Sequence, residues 1–333
     1  MIPTRFRESH LPHVEPLKII IDHDRCNGCG FCLDECGGKL FEVADGKARF
    51  VGHPFLGESC VGCRNCMTVC PKDAIQITGY YTVPHGWFKT FHRQPEPGCG
   101  WPNPFGENQP PSFESIAEKL TETEKIAYRR RSNRIFKKRQ VPRALIERVF
   151  EAGRFAPSAG NCQPWRPIVL RNREIIKKVE AECTPILKVF PWLYLGRSGW
   201  RRYVMPLLSL AFPHLFDQRS IGGMDIVTHR NGAEIFLGAP TVILIFGDIR
   251  GIGNVDLDCG IYAHQLVMVA HSLGLGTCYI GFSTPVNLLP SLKKELGVEW
   301  PFTKLVTAIA IGHPAVKVDG PVEREIPKVI WHE

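Results

Sequence analysis

Two runs of four cysteines are the residues best suited to chemistry in this sequence. Both have the spacing C-x2-C-x2-C-x3-C, which is typical of ligands to [4Fe–4S] clusters. The first run is Cys26, Cys29, Cys32 and Cys36, and the second is Cys60, Cys63, Cys66 and Cys70. Steps of three residues let one short loop bring three thiolates to three irons of a cubane. Gly28 and Gly30 lie between ligands, where backbone amides can approach the cluster sulfurs. The runs therefore predict two iron–sulfur clusters and one-electron chemistry.

Two other uses of cysteine fit this spacing less well. Structural zinc sites favour paired C-x2-C units separated by a longer gap, and neither run divides in that way. Disulfide frameworks are typical of small secreted chains from oxidising compartments. Residues 1–18 have no apolar segment of the kind that a signal peptide contains. We therefore expect thiolate ligands and a reducing, cytoplasmic setting.

The cysteine runs resemble those of bacterial two-cluster ferredoxins, in which the fourth cysteine of each run binds the other cluster. The resemblance implies that one cluster is held by Cys26, Cys29, Cys32 and Cys70. It implies that the other is held by Cys60, Cys63, Cys66 and Cys36. The sequence departs from the family pattern at Gly37, where a proline usually follows the first run, whereas Pro71 follows the second.

The segments around the runs predict a small domain over residues 1–79. Apolar stretches at Ile19–Ile21 and Ala74–Ile77 indicate a pair of terminal strands. Residues 41–50 alternate around Asp45-Gly46, which is a hairpin signal. The predicted core is so small that we expect the clusters themselves to hold this domain together.

Composition and charge exclude several classes. With 333 residues and 44% hydrophobic residues, the chain is long enough for more than one domain. No stretch of eighteen apolar residues is present, so a spanning helix is not expected. The net charge of +8 is concentrated in residues 129–139 and 197–202 rather than in a stripe with interleaved aromatics. This distribution argues against a nucleic-acid partner.

Beyond the cysteines, the pattern changes twice. Residues 80–113 are rich in proline and aromatic residues, which predicts a strap packed along a larger domain rather than regular structure. From residue 114 to residue 333 the pattern indicates alternating helices and strands. Helices are expected at 115–128, 143–155 and 259–273, and strands at 167–170, 241–246 and 305–311. Asp256 and Asp258 are interpreted as helix caps, and His264 and His271 as core histidines.

Five segments in order resemble the nitroreductase-like flavin enzymes, over about residues 120–327. They are Arg129-Arg130-Arg131-Ser132-Asn133-Arg134, the segment from Ala156 to Trp165, Gly238-Ala239-Pro240, the segment from Leu273 to Gly281, and Ile311-Gly312-His313-Pro314 followed by Arg324. The resemblance implies an α+β fold with a mixed sheet flanked by helices. It also implies a homodimer that binds FMN at its interface.

The family's FMN contacts carry over to matching positions. Arg130, Arg131, Ser132 and Arg134 would hold the phosphate and ribityl chain, and Arg324 would return to the phosphate. Pro157, Ser158 and Ala159 would pack on the ring from the partner subunit. Asn161 and Gln163 would contact the ribityl and pyrimidine side, and the backbone at Tyr279, Ile280 and Gly281 would meet flavin N5. No catalytic side chain is implied, because hydride leaves from N5.

Some interpretations stay open. Taken alone, residues 129–139 also fit a solvated basic helix end, and Cys162 fits a small packing residue. No G-x-G-x-x-G motif occurs, so a dedicated nicotinamide domain is not expected. Family members without such a domain still take hydride from NAD(P)H. Residues 184–221 fit a lid over the flavin pocket, a dimer element or a membrane-surface helix, and the lid is favoured.

The sequence predicts an FMN-dependent oxidoreductase that receives single electrons through two clusters. It would reduce a nitro, quinone, activated alkene or halogenated compound by hydride transfer. The alternative is an electron-transfer module that is loaded by NAD(P)H and reduces a protein partner. A sensor with a vestigial flavin site is a third hypothesis. Ferredoxin or NAD(P)H is the expected external donor. The physiological substrate, the direction of flow and the cluster potentials stay open.

Overall fold

The computed structural model describes residues 17–52, 60–78, 99–108, 111–194, 199–200, 218–230, 234–299, 301–326 and 329–333. The chain forms two compact units, and both are discontinuous in sequence. The first contains residues 1–130, 191–223 and 319–333, and the second contains residues 131–190 and 224–318. Much of the predicted strap, at 80–98 and 109–110, falls outside the described residues.

Short strands and helices dominate the first unit, and longer ones the second. The strands are β1 (Lys18–Ile21), β2 (Phe41–Ala44), β3 (Lys47–Phe50), β4 (Ile75–Thr78), β5 (Cys99–Gly100), β6 (Trp165–Leu170), β7 (Thr241–Asp248), β8 (Gly276–Ile280), β9 (Thr303–Gly312) and β10 (Arg324–Glu325). The helices are α1 (Phe31–Glu35), α2 (Asn65–Val69), α3 (Phe113–Ile116), α4 (Glu122–Arg129), α5 (Arg143–Gly153), α6 (Arg173–Tyr194), α7 (Gln218–Asp225), α8 (Val255–Ser272) and α9 (Pro290–Glu295).

The strands expected around the cysteine runs are confirmed. β1 pairs antiparallel with β4, with Lys18 opposite Thr78. β2 and β3 form the expected hairpin, and its turn residues Asp45 and Gly46 have φ values of 52° and 71°. Two successive residues with positive φ are what a type I′ turn requires. The alternation of residues 41–50 was therefore sufficient to place this hairpin.

The helix expected over residues 115–128 is wrong in its extent. Two helices occur instead: α3 ends at Ile116, a short 3₁₀ turn follows, and α4 begins at Glu122. Thr121 caps α4 through a capping box, in which its hydroxyl accepts from the Glu124 amide and the Glu124 carboxylate accepts from the Thr121 amide. This reciprocal cap starts a new helix, which the apolar pattern alone did not indicate.

A four-stranded sheet of order β6-β7-β9-β8 forms the centre of the second unit. All three pairings in this sheet are antiparallel. Ser132 adds one parallel bridge to Thr277 beyond the edge strand β8. Within the described residues, the sheet is therefore mixed only at that edge. The strands expected at 167–170, 241–246 and 305–311 are confirmed as β6, β7 and β9.

Helices cover both faces of this sheet because its central strand is apolar on both sides. Val242, Leu244 and Phe246 of β7 join a cluster with α6. Ile243 and Ile245 join a second cluster with α5 and α8. All eight residues of β7 are buried. A buried strand of this kind reads as a continuous apolar run, which explains why the sequence pattern located it.

Two expectations for α8 are wrong. The residue that caps α8 is Asn254, whose side chain accepts from the amides of Asp256 and Leu257. Asp256 and Asp258 therefore lie inside the first turn rather than at the cap. His264 is exposed and His271 is half-buried, so neither is a core histidine. The sequence of α8 is apolar enough to suggest that every position is buried. One side of the helix is nevertheless exposed, and His264 lies on that side.

Other segments were missed or stay untested. α6 extends from Arg173 to Tyr194, so the beginning of the 184–221 region is helical. Residues 201–217 lie outside the described part of the chain, and the lid, dimer and membrane-surface interpretations are therefore untested. Among the helices that the structure describes, none combines the length and apolar character needed to cross a membrane.

Candidate iron–sulfur and flavin sites

The two cysteine runs adopt the same local backbone twice. Gly28 and Gly62 follow their first cysteines by two residues and have φ values of 69° and 65°. α1 and α2 then begin at equivalent positions, one residue before the third cysteine of each run. Their caps, Gly30 and Arg64, are both left-handed, with φ values of 78° and 59°. Each run therefore has the same turn after its first cysteine and the same short helix between its third and fourth cysteines.

Backbone amides donate to three of the cysteine sulfurs. The amides of Ala48, Gly62 and Ala74 lie 3.4 Å from the sulfurs of Cys26, Cys60 and Cys70 respectively. Hydrogen bonds of this kind stabilise negative charge on sulfur and help to set the potential of a cluster. This arrangement suits thiolate ligands better than packing thiols, which need no donor.

The electrostatics of the thiols indicate which of them lie together. Burial raises the pKa of the Cys66 thiol, and the neighbouring thiols of Cys63, Cys36 and Cys60 raise it further. Cys36 and Cys32, which also raises this pKa, belong to the first run, so thiols of both runs lie near Cys66. Burial likewise raises the pKa of Cys32 to about 11, with Cys29 adding to the effect. The crossed assignment itself stays a prediction.

These sulfurs fit a cubane cluster rather than a single ion. Thiols that raise one another's pKa stay protonated when alone, and they become thiolates when a metal centre binds them. A cubane distributes its four ligands over four irons, and each run supplies three cysteines at steps of three residues. The donor set therefore fits two [4Fe–4S] clusters.

Residues 130–134 alternate between exposed and buried positions. Arg130, Ser132 and Arg134 are half-buried, whereas Arg131 and Asn133 are only 5% and 4% exposed. The Asn133 amide donates to the Thr277 carbonyl at 2.9 Å, which holds this part of the segment alongside β8. An extended backbone places alternate side chains on opposite faces. Arg131 is thus on the inner face, away from the one that Ser132 and Arg134 share.

The loop that precedes β6 is strained at several residues. Gly160, Asn161 and Gln163 have φ values of 55°, 54° and 47°. Such conformations cost free energy for residues other than glycine and are concentrated at functional sites. The Ser158 hydroxyl accepts from the Gln163 amide at 3.0 Å, and Asn161 Oδ1 accepts from Gln163 Nε2 at 3.0 Å. Local bonds therefore keep Asn161 and Gln163 together in an exposed loop.

The buried carboxylate of Asp258, a residue that was expected to cap a helix, accepts a hydrogen bond from this loop. Asp258 is 4% exposed, and both of its carboxylate oxygens lie 3.3 Å from the Ala159 amide. The Cys162 sulfur lies 3.9 Å from Oδ2 of Asp258 and 3.5 Å from the Ile252 carbonyl. Cys162 is therefore a half-buried packing residue in the same arrangement.

Gly251-Ile252-Gly253, a glycine pair in the sequence, packs against the same loop. A side chain at Gly253 would lie 2.5 Å from the Ala159 side chain, and one at Gly160 would lie 2.4 Å from Ile252. These glycines are thus explained by close contact between two loops. They do not form a nucleotide-binding turn.

The last predicted contacts lie on β8 and β10. Tyr279 is 38% exposed while Ile280 is buried, and the backbone at Gly281 has open space beside it. Arg324 belongs to β10 in the first unit, opposite Gly100 of β5. The residues predicted at 131–134, 157–163 and 279–281 are all in the second unit. Arg130, Arg324 and the cluster cysteines are in the first.

Comparison with known proteins identifies two parts of the chain. Residues 127–313, more than half of the sequence, match the nitroreductase family. Residues 19–77 match a 4Fe-4S dicluster domain.

Individual proteins are similar to parts of this chain. Nitroreductase NfnB of Mycolicibacterium smegmatis is 29% identical over 204 residues, which are 57% of this chain and 82% of that protein. Human iodotyrosine deiodinase 1 is 26% identical over 235 residues, which are 66% of this chain and 70% of that protein. A solved nitroreductase from Desulfitobacterium hafniense with bound FMN is 25% identical, with a TM-score of 0.46, and the match covers 64% of this chain and all of that one.

The family match includes the strained loop, the segment beside β8 and the sheet that carries them, and the dicluster match includes both cysteine runs. The chain therefore belongs to the nitroreductase family of oxidoreductases and carries an N-terminal 4Fe-4S dicluster domain.

Proposed function

We propose that this protein is an FMN-dependent oxidoreductase that receives single electrons through two [4Fe–4S] clusters and reduces an electron-poor organic substrate. The observation that carries the proposal is the presence, in one chain, of a 4Fe-4S dicluster domain and a nitroreductase-family domain. Clusters transfer one electron at a time, whereas the reduction of an organic compound needs two. Bound FMN supplies the conversion between the two kinds of transfer.

The residues that would hold the FMN phosphate are the half-buried ones of the predicted set. Ser132 and Arg134 share the outer face of their segment, and Arg130 is half-buried like them. A guanidinium fork matches phosphate oxygens in two-pronged geometry, so these residues suit the phosphate. Arg131 is 5% exposed, and we assign it a structural role in that segment. Arg324 completes the predicted phosphate set.

The strained loop would contact the isoalloxazine ring. Pro157, Asn161 and Gln163 are exposed, and the pairing of Gln163 with Asn161 presents an amide pair to a polar partner. The Asp258 carboxylate accepts a hydrogen bond from the Ala159 amide, so this contact holds the loop backbone without a ligand. In the related family this loop reaches the flavin of the second subunit. A homodimer is therefore part of the proposal.

The substrate class follows from the chemistry and from the relatives. Hydride transfer from a flavin suits nitroaromatics, quinones, activated alkenes and halogenated rings. One relative is named a nitroreductase and another an iodotyrosine deiodinase, which supports the nitro and halogenated classes. Thiolate ligands and a low-potential donor are consistent with a cytoplasmic setting.

Substitution of the phosphate arginines tests the proposal. Arg130→Ala and Arg134→Ala should each yield protein with normal iron content and little bound FMN. The measurement is the ratio of flavin to iron in anaerobically purified protein. Arg154→Ala is the matched control, because Arg154 is exposed and its described contacts are local, to Glu151 at 2.8 Å and to the ring of Phe155. Normal FMN content in both test variants would reject the phosphate assignment.

A second candidate function reverses the flow. Cys29 of the first cysteine run is an exposed residue, which favours electron exchange with a protein partner at that cluster. In that case NAD(P)H would reduce FMN, and the clusters would reduce the partner.

A further inference from the structure

The two cysteine runs differ at one structurally equivalent position. The first run has Gly30 at the left-handed cap of α1, and the second has Arg64 at the left-handed cap of α2. Left-handed backbone favours glycine and is costly for an arginine. Neither cap makes a side-chain hydrogen bond to its own helix. The Arg64 side chain therefore has a role other than capping α2.

The Arg64 side chain is buried and paired with a distant residue. It is 6% exposed, and its Nη1 atom contacts the Glu323 carboxylate, which is 32% exposed. Pairs buried to this degree are sensitive to the loss of one partner, because the remaining charge is left without compensation. Arg64 also directly follows Cys63 and lies two residues before Cys66, so its charge is close to the second cluster.

Glu323 belongs to a segment that is held within the first unit at further points. Arg129 donates to Asp319 through two hydrogen bonds, of 3.1 Å and 2.7 Å. Farther along, β10 pairs with β5, with Arg324 opposite Gly100. The second cysteine run is thus joined, through Arg64, to the segment that carries the phosphate candidate Arg324.

We propose that Arg64 and Glu323 are positioning residues for the cluster predicted at Cys36, Cys60, Cys63 and Cys66, and that their charges set its reduction potential. This inference rests on the proposed function. The Arg64 charge would stabilise the reduced cluster and the Glu323 charge would oppose it, because reduction adds one negative charge.

Two substitutions of opposite charge test the inference. Arg64→Gly removes a positive charge and places glycine where the first run has it, so the backbone should be retained. Glu323→Gln removes a negative charge with little change in shape. Because a reduced cluster carries one more negative charge, Arg64→Gly should lower the midpoint potential of one cluster, and Glu323→Gln should raise the potential of that same cluster. The measurement is an EPR-monitored redox titration.

The other cluster, predicted at Cys26, Cys29, Cys32 and Cys70, provides the reference. Its midpoint potential should change less in both variants than that of the cluster held by the second run. Arg49→Gln is the matched control, since Arg49 lies in the same domain and forms an exposed pair with Asp45 at 2.6 Å. It should change neither potential. Cys29→Ser identifies the signal of the reference cluster.

Two outcomes would overturn the inference: equal shifts of the midpoint potential in both clusters, or no shift in either. If Arg64→Gly loses iron, Arg64→Lys serves instead, and it should keep the wild-type potential while Glu323→Gln still raises it. The potential measurement needs no flavin. A wild-type protein without FMN would therefore reject the proposed function, whereas opposite potential shifts would still show that the pair acts on one cluster.

Discussion

Gly28 shows how tightly the first cysteine run is folded onto its neighbour. A side chain at this position would lie 2.2 Å from the carbonyl oxygen of Gly46, which is backbone and cannot move aside easily. Gly46 also has positive φ, but a side chain there would meet nothing within 4 Å. A side chain at Gly46 would therefore cost only the free energy of left-handed backbone. A side chain at Gly28 would add a steric clash to that cost.

This contrast predicts different effects for the same substitution. Gly46→Ala should cost about 1 kcal/mol of stability, the usual price of a left-handed alanine, and should leave iron content normal. Gly28→Ala should in addition displace the loop that carries Cys26 and Cys29, and iron content should fall. Iron analysis and thermal unfolding of both variants measure this. Equal iron content in the two variants would contradict the role of close packing.

The role of Asp258, like that of Gly28, depends on what the residue contacts in the fold. Asp258→Asn should raise the dissociation constant of FMN about tenfold, because a charged hydrogen bond to the Ala159 amide is replaced by a neutral one and the loop is less well held. Flavin fluorescence on titration of apoprotein with FMN measures the constant. Asp256→Asn is the control, since Asp256 is on the same helix but pairs with the exposed Lys304 at 2.7 Å. An equal effect of both variants would exclude a specific role for Asp258.

At the scale of elements, the crossed cluster assignment gives the clearest expectation. If the fourth cysteine of each run serves the other cluster, Cys70→Ser should alter the EPR signal that Cys29→Ser alters. Cys36→Ser should alter the signal that Cys63→Ser alters. Uncrossed ligation would exchange these pairs. The comparison needs only the reduced spectra of four variants, with wild-type protein as the reference.

Elements with strong local signals could be predicted from the sequence. The hairpin around Asp45-Gly46 and the apolar strand β7 were placed because turn residues and a continuous apolar run leave few alternatives. The break before α4 was missed because Thr121 and Glu124 act through a reciprocal cap, which the apolar period does not contain. α6 and β8 were also missed as elements, although Cys278 and Ile280 of β8 belong to segments that the family resemblance had marked.

The candidate sites likewise contain residues that the sequence indicates and residues that it does not. The cysteines could be found from spacing alone, since ligand geometry is encoded in a few residues. Arg64 and Asp258 could not, because their partners Glu323 and Ala159 are 259 and 99 residues away in sequence. A residue-by-residue comparison of the two cysteine runs would have singled out Arg64 against Gly30. No comparable signal marks Asp258.

For the whole molecule, the direction of electron flow is the property to measure first. We expect reduced ferredoxin to bleach the clusters and then the flavin of anaerobic protein, as the proposed function requires. NADH and NADPH should reduce neither at a comparable rate. Absorbance follows the flavin, and EPR follows the clusters. Rapid flavin reduction by either nucleotide, followed by cluster reduction, would instead favour the electron-transfer module.

The arrangement of the first unit also affects how the protein is made. Arg64 pairs with a residue 259 positions later in the chain, and β5 pairs with β10, which is also synthesised much later. At about 5–20 residues per second, a ribosome needs roughly 13–50 s to synthesise the intervening residues. During that interval the cysteines are already outside the ribosome while the closing contacts do not yet exist. The cysteine runs are therefore synthesised well before Glu323 and β10, which later pair with Arg64 and β5.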